Sequence, residues 1–147
     1  MTTIVTSQAG DEVEHLSLDL PATTEHLRLV RLLVTSVATS HGADLDDLED
    51  LRIAAGEIGA HAVAAAGNDA RMVVRVGIRD DGAHDAARLE VRIALAGGRA
   101  IDPLDELGGM VLGASADTHG VTEPPEAPEV WFVRTLRPSV VRDPADD

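Results

Sequence analysis

The chain has 147 residues and a formal net charge of −14, from 26 acidic against 12 basic side chains, a field that repels phosphate backbones and argues against general nucleic-acid binding. It has no cysteine and no lysine, every basic residue being arginine, which excludes disulfides, thiolate metal sites, Schiff-base chemistry and a P-loop lysine. One Trp, one Phe and no Tyr leave an aliphatic core and no platform for stacked bases.

This length suits one domain that can bury a core without staples. The opening MTTIVTSQAG lacks the basic region and apolar run of a signal peptide. No stretch approaches the ~20 apolar residues of a membrane span. A soluble, cytoplasmic protein with no membrane partner is therefore expected.

Residues 1–11 are small and polar, and read as a flexible arm. A single domain is expected over 12–138, followed by an acidic, disordered tail at 139–147. His15 to Leu20 alternates, with Leu16, Leu18 and Leu20 on one side, as a half-buried strand does. Pro21 ends it, and Thr23 or Thr24 can cap a helix from about 25 to 40. That helix repeats Leu27, Val30, Val34 and Val37, with Leu29, Leu32 and Leu33 widening its apolar face. His41-Gly42 breaks the chain.

The stretch from Asp44 to Gly67 is the best-delimited helix. Asp44 can accept hydrogen bonds from the first-turn amides, and Asp46, Asp47, Glu49 and Asp50 put negative charge at the positive end of the dipole. Leu48, Leu51, Ala55, Ile58 and Ala62 make the apolar stripe, and Gly67-Asn68 tolerate the left-handed conformation that ends many helices. Glu57 and His61 stand one turn apart on another face, about 40° from each other.

Near residue 70 the period changes to two. Arg71 to Arg79 and Arg88 to Leu95 alternate, with Met72, Val74, Val76, Ile78, Leu89, Val91, Ile93 and Leu95 on the dry face. Arg71, Arg75, Arg79, Arg88 and Arg92 form a stripe on the wet face. This stripe reads either as solvated sheet surface or as a docking face for an acidic partner. Asp80 to Asp85 supplies turn chemistry between the strands. Asp102 or Pro103 opens a short helical stretch rich in glycine, 118–128 is a loop by composition, and Val130 to Arg137 is the last strand. Two long helices before a hairpin with an apolar face to cover predict an α+β, two-layer sandwich. The helices are expected on one face of a mainly antiparallel four-stranded sheet.

Residues 18–67 resemble the anti-sigma-factor serine/threonine kinases of the GHKL (histidine-kinase-like) ATPase superfamily. The matching pieces are Leu20-Pro21, Val30-Arg31, Asp50-Leu51-Arg52-Ile53-Ala54 and Glu57. The resemblance implies that Glu57 is the general base of an E-x-x-x-N box, and that His61 stands where the family has the Asn that holds Mg²⁺. Imidazole is a poor ligand for an ion that demands hard oxygen donors. The family's D-x-G-x-G box falls on Ala96-Gly97-Gly98-Arg99-Ala100, so Ala96 replaces the Asp that reads adenine. The G-x-G-L box falls on Leu107-Gly108-Gly109-Met110, with about ten positions from Gly98 to Gly108, too few for a phosphate-covering lid.

What the resemblance implies is thus a regulator that acts in transcription control by partner switching. It would bind a sigma factor or an anti-sigma-factor antagonist, often as a homodimer, with lost or weak ATP handling. The alternative is an active Mg-ATP-dependent kinase that phosphorylates such an antagonist. A small-molecule-binding domain using the vacated pocket is a third, weaker reading. Candidate site residues are Glu57 as catalytic base, with His61, Gly98, Gly108 and Gly109 at the nucleotide. Glu57 and His61 are equally readable as an i,i+4 surface pair. No cofactor is expected on the first reading, and ATP with Mg²⁺ on the second. No resident metal is expected, because no spacing joins His61 to His41, His84 or His119.

Overall fold

The computed structural model describes residues 3–9, 13–81, 86–97, 100–122 and 128–136. Its elements are β1 (Thr3–Ala9), β2 (Val13–Pro21), a 3-10 turn (Thr24–His26), α1 (Leu27–Ser40), α2 (Leu45–Ala65), β3 (Arg71–Asp81), β4 (Ala86–Ala96), α3 (Glu106–Ser115), β5 (Thr118–Thr122) and β6 (Glu129–Leu136). The strands form one sheet in the order β1-β2-β3-β4-β6-β5, and every neighbouring pair is antiparallel.

The alternation expected from the sequence is what closes the core. Leu18, Leu20, Met72, Val74, Val76, Ile78, Leu89, Val91 and Ile93 are buried on one sheet face. They share a single cluster with Leu27, Val30 and Val34 of α1, with Leu51, Ala55 and Ile58 of α2, and with Leu112 of α3. All three helices therefore cover the same face, and the arginine-bearing face stays open. The two-layer α+β sandwich stands.

Asp44 caps α2 as expected, its side chain accepting from the Asp47 amide at 2.8 Å. Helices α1 and α2 approach closely at Gly59, where an added Cβ would lie 2.8 Å from Leu27 Cδ2. Gly42 takes a φ of 82° at the break between them, a conformation that suits glycine.

Several expectations need correction. The sheet has six strands, not four. Thr3–Ala9, read as part of a flexible arm, pairs along β2 as an edge strand. Its sequence TIVTSQA has no apolar alternation to betray it. Thr118–Thr122, read as loop, pairs with β6. At the end of α2 the left-handed residue is Asp69, with φ 60°, rather than Gly67 or Asn68. Helix α3 starts later than Asp102 or Pro103, capped by Asp105.

Thr23 bonds the His26 ring at 2.6 Å instead of capping an amide. Leu32 is 59% exposed and does not widen the core face of α1. The turn at 82–85 and the tail at 139–147 lie outside the described residues. No helix among those described is long and apolar enough to cross a membrane.

Candidate functional site

Helix α2 turns Glu57 and His61 toward the segment that leads into α3. The His61 Nε2 lies 2.6 Å from the carbonyl oxygen of Asp102. A carbonyl only accepts, so Nε2 carries the proton and donates it, and its lone pair is not free for a cation. Glu57 and His61 do not pair with each other: His61 reaches 41 residues along the chain to Asp102 instead.

The half-buried Glu57 carboxylate lies over Gly108. A Cβ built on that glycine would sit 3.1 Å from Glu57 Oε1 and 3.0 Å from Asp105 Oδ1. Two carboxylates thus converge on the first turn of α3. Two glycine amides there are already engaged: Gly108 N donates to Asp105 Oδ1 at 2.7 Å, and Gly109 N to the Asp105 carbonyl at 2.9 Å.

The structure therefore brings Glu57, His61, Gly108 and Gly109 to one place, between α2 and α3. Gly98 lies outside the described residues. Ala96 ends β4 in an exposed position, and Gly97 follows with a φ of 78°. The Gly97 carbonyl lies against Gly67, 3.2 Å from where a Cβ on that residue would stand, so this corner adjoins the C-terminal end of α2. Among the described residues no three His, Asp or Glu side chains are placed to hold a metal ion.

The arginine stripe lies on the open face, but much of it is neutralised from within. Arg75 sits opposite Arg92, and Arg79 opposite Arg88, a like-charge arrangement that destabilises unless acids intervene. Glu129 approaches Arg75 at 3.9 Å and Arg92 at 3.3 Å, and Arg71 pairs with Asp19 at 2.7 Å. Arg92 also pairs with Glu90 and stacks 5.2 Å from the Trp131 ring centroid. Arg79 and Arg88 are exposed and have no carboxylate partner among the described residues. Arg28, Arg31 and Arg52 on α1 and α2 likewise have no carboxylate partner among the described residues, and Arg31 is half-buried. Arg31 crosses to Gly56, its NH1 group 3.5 Å from where a Cβ there would be.

One charged cluster has no counterpart in the sequence reading. Arg134 of β6 donates through NH2 to Asp47 Oδ1 and Asp50 Oδ2, both at 2.9 Å, and through NH1 to the Ser115 carbonyl at 3.2 Å. It ties the first turns of α2 to the last turn of α3. Beside it a cleft of about 380 Å³ is lined by Asp44, Asp47, Asp117, Arg134 and Thr135. Asp105 was missed as well, although an Asp three residues before a glycine pair at a helix start was a readable cap signal.

The profile of the Histidine kinase-like ATPase domain matches residues 20–121, which span both α2 and the start of α3. The chain belongs to that family. Among curated proteins, the family relatives include the Serine-protein kinase RsbW of Bacillus velezensis, 38% identical over 85 residues, covering 56% of this chain and 49% of that protein. The protein of the same name from Bacillus licheniformis is 32% identical over 85 residues, covering 55% and 49%. The chain thus spans about half the length of the curated relatives it matches. Among solved structures, the RsbU and RsbW domains of a Mycobacterium tuberculosis protein superpose with a TM-score of 0.62 at 22% identity. That match covers 84% of this chain and 33% of the other, and it supports the histidine-kinase-like α+β fold.

Proposed function

We propose that this domain is a protein-binding regulator of the anti-sigma kind, which holds a sigma factor or an anti-sigma-factor antagonist and handles ATP weakly or not at all. The observation that carries this reading is at the first turn of α3. In the family resemblance that turn would cradle nucleotide phosphates. Here the Gly108 and Gly109 amides are spent on Asp105, and the Glu57 carboxylate stands beside Gly108. A polyphosphate entering this place would meet two carboxylates, with no lysine anywhere in the chain to offset them. His61 offers only an imidazole nitrogen where Mg²⁺ demands hard oxygen donors, so it does not fit the role of a Mg²⁺ ligand. Ala96 offers no acceptor to an adenine amino group, which costs about 1–3 kcal/mol when that donor is left unpaired.

The partner surface on this reading is the basic one. Arg79 and Arg88 are the end of the sheet face with no carboxylate partner among the described residues, with Arg75, Arg92 and Arg71 already bridged to carboxylates. Arg28, Arg31 and Arg52 on α1 and α2, with no carboxylate partner among the described residues, are the competing surface. Charge reversal of Arg79 and Arg88 together is expected to weaken sigma-factor or antagonist binding in a salt-dependent way. If reversal of Arg28 and Arg52 does so instead, the partner sits on the helices.

A second reading, a working kinase, is favoured by the free carboxylate of Glu57 and by the name of the curated relatives. Titration calorimetry with Mg-ATP and Mg-ADP separates the two. No binding at millimolar nucleotide is expected, and a micromolar Kd together with phosphoryl transfer to an antagonist serine would overturn the regulator reading.

A further inference from the structure

Helix α3 reads LGGMVLGA from 107 to 114, eight residues without a polar side chain. A helix of that composition is ordinarily buried all round. Only one side of it is: Gly108, Leu112 and Ser115 are buried, whereas Leu107 is 69% and Met110 is 65% exposed. Leu107, Met110 and Ala114 follow one another at spacings of three and four, so they form one outward stripe. Gly113 beside them leaves open space where a Cβ would stand.

The neighbouring helix extends this surface. Ile53 of α2 is 44% exposed and lies about 40° around the helix from Glu57, the residue that touches α3. The contacts of Glu57 at Gly108 and of Asp50, through Arg134, near Ser115 set α2 and α3 antiparallel. Ile53 therefore falls between those two levels, alongside the middle of α3.

The charged side chains on α3 and at its two ends are all acidic. Asp105 and Glu106 stand exposed at the start of α3 and Asp117 just past its end. Glu57 has no cationic partner among the described residues, and α3 itself has no basic residue. An apolar strip with an acidic rim selects an occupant with an apolar stripe and a basic rim.

We propose that the outward face of α3, extended by Ile53, is a docking surface for an amphipathic helix of a partner protein with lysines and arginines flanking its apolar stripe. A second copy of this chain is the poorer occupant, because net charge −14 opposes bringing two copies together at an acidic rim. This surface centres on α3 and is distinct from the arginine stripe of the sheet face, so it does not depend on that stripe.

The probe is a fluorescein-labelled 18-residue helical peptide with leucines at i, i+3, i+4 and i+7 and lysines elsewhere. A scrambled peptide of the same composition and a glutamate-for-lysine version serve as comparisons. Fluorescence anisotropy at physiological salt should give a Kd in the micromolar range for the amphipathic peptide alone. Replacing both Leu107 and Met110 by Ser should weaken it about tenfold or more, and Glu106→Lys several-fold, while Glu49→Lys, elsewhere on α2, leaves it unchanged.

Hydrogen exchange on the unaltered protein provides a reading independent of any variant's folding. Added peptide should slow exchange in α3 and in the middle of α2. Equal binding of the scrambled peptide, a Kd unmoved by the Leu107/Met110 pair, or protection elsewhere would overturn the proposal. Sedimentation showing that the protein self-associates through Leu107 and Met110 would overturn it too, in favour of a second copy.

Discussion

Replacing Arg134 by Ala tests how much of the fold hangs on one charged cluster. The guanidinium contacts two carboxylates at 2.9 Å and a helix-end carbonyl at 3.2 Å, and it bridges three elements that are far apart in sequence. The side chain of Asp47 is only 12% exposed and that of Asp50 34%. Truncation therefore leaves one nearly buried carboxylate, with a second beside it, and no cation. Stranding a buried charge in this way costs about 3–5 kcal/mol, against roughly 0–1 kcal/mol for an exposed pair. Arg134 is 17% and Asp50 34% exposed, so water can relax the site, and the expected loss is near the low end, about 3 kcal/mol.

For a domain of this size that corresponds to a fall in Tm of roughly 6–12 °C. Urea unfolding followed by far-UV circular dichroism and by the fluorescence of the single Trp131 measures it. An Asp47→Asn variant and the double variant complete a cycle that isolates the pair. The double variant should lose clearly less than the sum of the singles. A loss under about 1 kcal/mol, the ceiling for exposed pairs, would show that the cluster behaves as solvated surface and that the argument from burial is wrong.

The glycines of α3 make a sharper comparison. Gly109→Ala and Gly113→Ala have open space for a Cβ and should each stabilise by about 0.5–1 kcal/mol through helix propensity. Gly108→Ala should forfeit that gain, because Asp105, Glu57 and Leu104 crowd the new methyl; equal gains at all three positions in thermal melts would contradict the packing. Gly59→Val drives a side chain toward Leu27 Cδ2, 2.8 Å from the Cβ position, and should cost about 1–3 kcal/mol by overpacking. An unchanged midpoint in urea would mean that α1 and α2 can separate freely. Asp105→Ala should cost about 1 kcal/mol as a lost cap, read by the same melts, and a neutral result would deny the cap.

Local rules carried a good part of this protein. The switch from a period near 3.6 to a period of two placed α1, α2, β2, β3, β4 and β6, because core-facing positions repeat with the geometry of each element. The Asp44 cap was legible for the same reason, since donor and acceptor lie three residues apart. The four-residue spacing likewise put Glu57 and His61 on one helix face, and only the family resemblance gave that pair a role.

Other features are set by partners that no local window contains. β1 and β5 are edge strands held by neighbours' backbones, so their side chains need not alternate. Which leucine of α1 turns outward was decided by where α2 lies: Leu33 packs against the core while Leu32 faces solvent. The convergence of Glu57 and Asp105 on Gly108, the hydrogen bond from His61 to Asp102, and the grip of Arg134 on Asp47 all join residues more than forty positions apart in at least one partner. Composition and spacing name such residues as charged or small. Only the packing of α3 against α2, and of both on β6, decides whether a carboxylate faces water, a cation or another carboxylate, and that decides what the site can hold.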